Sequence, residues 1–142
     1  MNLKFNFGIL KNKRVSFEWN SKGKKVKYEG IIASVKNKKD IYTFTFSNGE
    51  KLRVESVAFF LKCEVKKIND VINVIYNPSN ELLSGFVGFA MSDTYGFPIE
   101  VTEEILEEKG FKIDMDGFNI LKELQKELST GTFKNKDGWN SK

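Results

Sequence analysis

The sequence predicts an α+β protein, with a small β-barrel over residues 1–77, a short helical hairpin region over 78–128 and a flexible tail over 129–142. Three observations carry this. Apolar and polar residues alternate from Val15 to Tyr76, the period of half-buried strands. Asn48-Gly49 sits between two such runs, where a two-residue hairpin turn belongs. After Pro78 the apolar spacing lengthens to that of helices, with capping residues at the expected offsets. A chain of 142 residues buries roughly 68–70% of its unfolded surface, enough for one real core or two very small ones.

The elements follow in order. Val15, Phe17 and Trp19 alternate with Ser16, Glu18 and Asn20, giving a first strand. Ser21-Lys22-Gly23-Lys24 is a turn. Val26 and Tyr28 then share a face, and Ile31, Ala33 and Val35 continue in the other register. That one-residue slip is placed at Gly30, as a bulge or bend. Tyr42, Phe44 and Phe46 form the next strand, and Leu52 and Val54 follow the Asn-Gly turn. Residues 57–63 read as a compact turn or short helix, and Val71 to Tyr76 as a final strand. Five short strands with a bend suggest closure, and the run from Arg14 to Glu50 resembles an SH3-like or Tudor-like barrel. Such barrels bind peptides, methylated side chains or nucleic acid, so the resemblance does not give a function.

In the second half, Pro78 breaks the strand and Glu81-Leu82-Leu83 starts a short helix, with Gly85 and Gly88 arguing against a long one. Thr102 reads as an N-cap, with Glu103 and Glu104 in the first turn, where the helix dipole favours acids. Gly110 supplies a left-handed cap. Asp114 or Asp116 caps a second helix, whose apolar side is Phe118, Leu121, Leu124 or Gln125, and Leu128.

Charge is divided between the halves. Residues 1–80 hold 16 Lys/Arg against 7 Asp/Glu, a net of +9, and residues 81–142 hold 7 against 12, a net of −5. Lys22, Lys24, Lys25, Lys27, Lys36, Lys38 and Lys39 concentrate this charge at two turns. Such a cluster attracts phosphate, the footprint of nucleic-acid binding. It also keeps strand edges soluble, so both readings stay open. Trp19, Tyr28, Tyr42 and Phe46 offer an aromatic platform for bases or a cation. At alternating strand positions we read them first as core.

There is no histidine and one cysteine, Cys63. This removes the usual general base near neutral pH, His-containing zinc sites and a Cys–His nucleophile. Asp-Met-Asp-Gly at 114–117 lacks the further ligands of a calcium loop. We expect no enzyme activity, no metal and no cofactor. No apolar run approaches a membrane span, and the N-terminus lacks a signal-peptide core. The expected location is cytoplasmic, with no membrane partner.

The most specific stretch is Ser92 to Phe118. It opens with Asp93-Thr94-Tyr95-Gly96-Phe97-Pro98, continues with Ile99-Glu100-Val101-Thr102 and an acidic helix ending in Gly110, and closes with Asp114-Met115-Asp116-Gly117-Phe118. In order and spacing it resembles the tRNA-recognition segment of alanyl-tRNA synthetase. The resemblance implies that Asp93 reads the G·U wobble pair of an acceptor stem, with Tyr95, Phe97 and Pro98 shaping the turn that aims it. The same residues also read as a capped, rigid bend that only folds the helical half. The family's catalytic motifs are not recognisable here. The aromatic residue usual before the Asp is replaced by Ser92, and the His/Cys metal site of the family's editing domain cannot be built. The expected function is a non-catalytic RNA-binding protein that recognises tRNA or a tRNA-like acceptor stem through Lys22, Lys24, Lys25, Lys27, Lys36, Lys38, Lys39, Asp93 and Tyr95. The alternative is a protein-interaction module or an inhibitor encoded by a mobile element such as a phage, for example an anti-defence protein, using the synthetase-like segment as scaffold.

Overall fold

The computed structural model describes residues 5–39, 41–54, 57–78 and 81–135. Among the described residues, eight strands and four helices follow one another: β1 (Arg14–Ser21), β2 (Lys24–Lys38), β3 (Ile41–Phe46), β4 (Lys51–Val54), α1 (Val57–Leu61), β5 (Cys63–Ile68), β6 (Val71–Tyr76), β7 (Leu82–Leu83), α2 (Gly85–Tyr95), α3 (Ile99–Glu108), β8 (Lys112–Ile113) and α4 (Met115–Asn135). A 3-10 turn, Phe7–Leu10, precedes them, opened by the Asn6 side chain accepting from the Gly8 N–H at 3.0 Å. No helix among the described residues is long and apolar enough to cross a membrane.

The α+β class holds, but the expected closed SH3-like barrel is not what the ladders form. Six strands lie in the order β4-β3-β2-β1-β6-β5. This is an open sheet whose edges, β4 and β5, do not pair with each other among the described residues. Its centre is the reason: β1 pairs antiparallel with β2 on one side and parallel with β6 on the other, Val15 facing Ile72. The sixth strand, β5, escapes the alternation test because Lys66 and Lys67 follow its inward Cys63 and Val65. Asn69 and Asp70, both with positive φ (52° and 64°), close the β5–β6 hairpin. Residues of this type accept the left-handed conformation such turns need.

The slip in β2 also lies elsewhere than expected. Val26, Gly30 and Ile32 keep one parity, Ile32 is fully buried, and the register shifts between Ile32 and Ser34. Gly30 has a different role. A Cβ there would lie 2.9 Å from Cδ1 of Phe46, whose ring packs across the glycine.

One core runs through both halves of the chain. From the sheet come Val15, Phe17, Ile32, Phe44, Val65 and Val74, and from α2 and α4 come Phe86, Phe89, Phe118, Leu121 and Leu124. The N-terminal aromatics join them. Phe7 lies 5.2 Å from Phe44, 4.6 Å from Phe60 and 5.2 Å from Phe86, ring centroid to ring centroid. Tyr42 and Phe46 are core, as first read, and Leu128, expected on the buried side, is half exposed.

The helical half departs from expectation at three points. Leu82–Leu83 is a strand paired with Lys112–Ile113, not a helical turn. The glycines then sit inside an eleven-residue helix. They are there for close approach: a Cβ on Gly85 would lie 2.7 Å from the carbonyl carbon of Gly117, and one on Gly88 would lie 2.9 Å from Cδ1 of Ile99. Helix α3 starts at Ile99 behind Pro98, so Thr102 is buried inside it rather than capping it. Proline before the first turn sets the extended conformation that a helix start requires. Helix α4 continues to Asn135, past the expected end of the helical region at residue 128. Residues 136–142, the remainder of the expected tail, lie outside the described residues.

Candidate nucleic-acid interface

The Asp93–Pro98 block is the C-terminal end of α2 and the entry to α3. Asp93 is exposed on the last turn of α2. Gly96, at φ 71°, ends the helix, its N–H donating to the Ser92 carbonyl at 3.0 Å. Only glycine takes this left-handed cap without steric cost. Phe97 stacks on Tyr95, centroids 5.9 Å apart and planes within 29°. Pro98 then fixes the turn into α3. The Asp93 carboxylate forms no ion pair or hydrogen bond with the described residues, so its oxygens face water. Tyr95 is 42% exposed beside it.

The acidic turn at the other end of the segment is buried structure. Asp114 is 6% exposed and accepts two hydrogen bonds. Oδ1 takes the Gly117 N–H at 3.0 Å, an N-cap of α4. Oδ2 takes the Val65 N–H at 3.1 Å, an amide of edge strand β5. The Asp114 N–H donates to Leu83 at 2.8 Å. One side chain therefore starts a helix and seals a sheet edge. Of the two sequence candidates for the cap, Asp114 acts and Asp116 is exposed.

The lysines do not form one patch. Lys22, Lys24, Lys25 and Lys27 cluster at the β1–β2 hairpin. Lys36, Lys38 and Lys39 lie at the opposite end of the fifteen-residue β2, at its turn into β3. A strand of that length spans roughly 45 Å before any bend. All seven are exposed. The ladder separates them further. Lys24 shares the face of Trp19 and Tyr28, whereas Lys25 and Lys27 share the opposite face with Glu18. There Lys25 meets Glu18 at 3.3 Å and Lys27 meets Glu29 at 3.5 Å. Lys22 and Lys24 form no ion pair with the described residues.

Cys63 is buried, its Sγ–H donating to the Phe59 carbonyl at 2.8 Å. Burial pushes the thiol's pKa well above its ordinary value. Glu127 on α4 meets Lys13 at 2.9 Å, and the bond and charge of Lys13 pull its pKa down.

Comparison with known proteins gives the family of the chain. The family described as tRNA synthetases class II (A) matches residues 27–141. The alanine–tRNA ligase of Clostridioides difficile is 44% identical over 71 residues, half of this chain and 8% of that protein. The corresponding enzyme of Lactobacillus delbrueckii subsp. bulgaricus is 37% identical over 99 residues, 70% of this chain and 10% of its own length. That of Buchnera aphidicola is 40% identical over 81 residues, 57% of this chain and 9% of its own. The chain thus spans about a tenth of the length of these relatives. No solved structure matches it. The chain belongs to the class II (A) tRNA synthetase family, as a segment related to alanine–tRNA ligase.

Proposed function

We propose that this protein binds RNA without catalysing a reaction, and that its target is tRNA or a tRNA-like acceptor stem. One observation carries the reading: in a chain of a tRNA synthetase family, the Asp93–Pro98 block presents a solvent-facing carboxylate on the last turn of α2, just before the bend made by Gly96 and Pro98. A guanine in a G·U pair offers its exocyclic amine in the wide, shallow minor groove of A-form RNA, where a carboxylate can accept from it. Lys22 and Lys24 at one hairpin and Lys36, Lys38 and Lys39 at the other supply phosphate contacts, which give affinity and salt dependence without sequence preference. A cytoplasmic location belongs to the same proposal.

The chemistry of the chain favours binding over catalysis. It has no histidine, its cysteine is buried behind a raised pKa, and no three His, Cys, Asp or Glu side chains gather into a metal site among the described residues.

The test is fluorescence-anisotropy titration with alanine tRNA, its G·U→G·C variant and an unrelated tRNA, at low and moderate salt. The expected result is salt-sensitive binding to all three, a preference for the G·U form, and loss of that preference in Asp93→Ala. Absence of salt-sensitive binding to any tRNA refutes the proposal.

A second reading has its own observation. Helix α3 exposes Glu100, Glu104, Glu107 and Glu108 beside Val101. That face repels phosphate and suits a basic protein partner, as an interaction module or inhibitor would need. Retention of tRNA binding by a charge-reversed α3 would leave this face free for such a partner.

A further inference from the structure

Trp19 and Tyr28 stand apart from the other candidate platform residues. They are diagonal neighbours across the β1–β2 ladder, on the inward face of the hairpin, Trp19 partly buried against the edge of the core and Tyr28 exposed. Their rings stack, centroids 5.7 Å apart and planes within 16°. Diagonal pairs come within reach of large rings on a twisted ribbon. Trp19 is braced edge-on by Phe59 (6.1 Å, 83°), which stacks on Tyr76 (4.9 Å, 17°). The series thus runs from Tyr76 to Tyr28, anchored at one end and 41% exposed at the other. Lys24 shares its face, and Lys22 lies at the turn next to it. These are the two hairpin lysines that form no ion pair with the described residues.

We propose that Tyr28 is a stacking platform for an unpaired base of the bound RNA, with Lys22 and Lys24 holding the flanking phosphates. A flat, braced ring that ends in solvent accepts the face of any base, and nearby cations track the backbone. The two lysines disfavour the other ligand an aromatic surface suits, a methylated cation. This inference rests on the RNA-binding reading above but uses a different element from Asp93 and a different feature of the RNA. The hairpin reads a single strand, whereas the α2 terminus reads a pair.

The experiment uses full-length protein and two RNA hairpins of identical stem, one blunt and one with a single-stranded 3′ overhang. Trp139→Phe serves as background, so that Trp19 is the only indole. The overhang form is expected to quench Trp19 fluorescence and to bind more tightly than the blunt form. Tyr28→Ala should cut that difference by roughly 5- to 150-fold, the range for one stacked base, and leave blunt-stem affinity unchanged. Tyr28→Phe should retain it. Circular dichroism and the urea midpoint establish that Tyr28→Ala stays folded. Equal loss on both hairpins, or no loss on either, overturns the platform while the RNA-binding reading stands. Failure of the wild-type protein to bind either hairpin removes both. Preferential binding of a trimethyl-lysine peptide at the same rings also overturns it.

Discussion

Replacing Asp114 by alanine should cost this protein about 2–4 kcal/mol. Two bonds vanish together. Loss of the Gly117 bond removes the N-cap of α4, worth roughly 1 kcal/mol. Loss of the Val65 bond leaves a buried backbone N–H without a partner, which costs roughly 1–3 kcal/mol. The lower end applies if water enters the vacated site. In a chain of this length the sum corresponds to a melting temperature lower by roughly 7–14 °C. The assay is urea denaturation followed by circular dichroism. The midpoint should fall while the slope stays constant, because the folded surface is unchanged. Asp114→Asn is the sharper control. Its amide oxygen can accept one of the two N–H donors, but its NH2 group then faces the other, so the loss should be intermediate. An alanine cost below about 0.5 kcal/mol, or an asparagine variant as stable as wild type, would refute the assignment of Asp114 as a two-way acceptor.

Three further outcomes follow from the packing and the titrating groups. Gly85→Ala should destabilise by roughly 1–3 kcal/mol despite alanine's better helix propensity, since the new methyl meets the backbone of Gly117 and Phe118. Gly88→Ala, which meets only side-chain ends, should cost less, and thermal melts of the pair decide the point. Cys63 should resist a thiol reagent in the native state. Because its pKa is raised in the folded state, its contribution is intact below the unfolded thiol value near 8.5 and lost as pH climbs above it, so labelling should accelerate there in step with unfolding. The Lys13–Glu127 contact has the opposite sign. Glu127 is held below its ordinary pKa, so the contact stabilises above the unfolded value and weakens as pH falls, by an amount that exposure keeps small. Acid titration of Lys13→Met should show a flatter stability profile than wild type.

The strands with a clean two-residue period were legible in the sequence: β1, β3, β4 and β6 all lie where alternation puts them. Strand β5 was hidden because an edge strand shielded by a helix on one side and water on the other needs few apolar residues, and Cys63 and Val65 suffice. Barrel closure was misread for a related reason. Alternation says which face is buried but not which strands are neighbours, and the β1–β6 parallel pair leaves no local signature. The helical half misled through its glycines. Propensity counts Gly85 and Gly88 against a helix, yet contact with α4 requires them. At the site, the Asp93–Pro98 block was found by its order of residues, and Asp93 and Tyr95 within it are exposed. The seven lysines were found by count, but strand parity, which was available in the sequence, would already have split Lys24 from Lys25 and Lys27.

The parallel pairing of β1 with β6 also sets an order of assembly. Val15 and Ile72 are 57 positions apart (72 minus 15), and the intervening β2–β4 meander is built from near neighbours. The meander can therefore form early, while β1 waits with one edge bare until β6 emerges. Closing a loop of that length places the rate-limiting search at this seam, as long-range contacts do in general. A chain stopped after Val54 would hold β1 permanently in that state, with unpaired amides and the apolar face of Val15 and Phe17 uncovered. Such an edge recruits a strand from another molecule. Strand β6 thus completes the sheet and also covers the β1 edge that an incomplete chain would leave open.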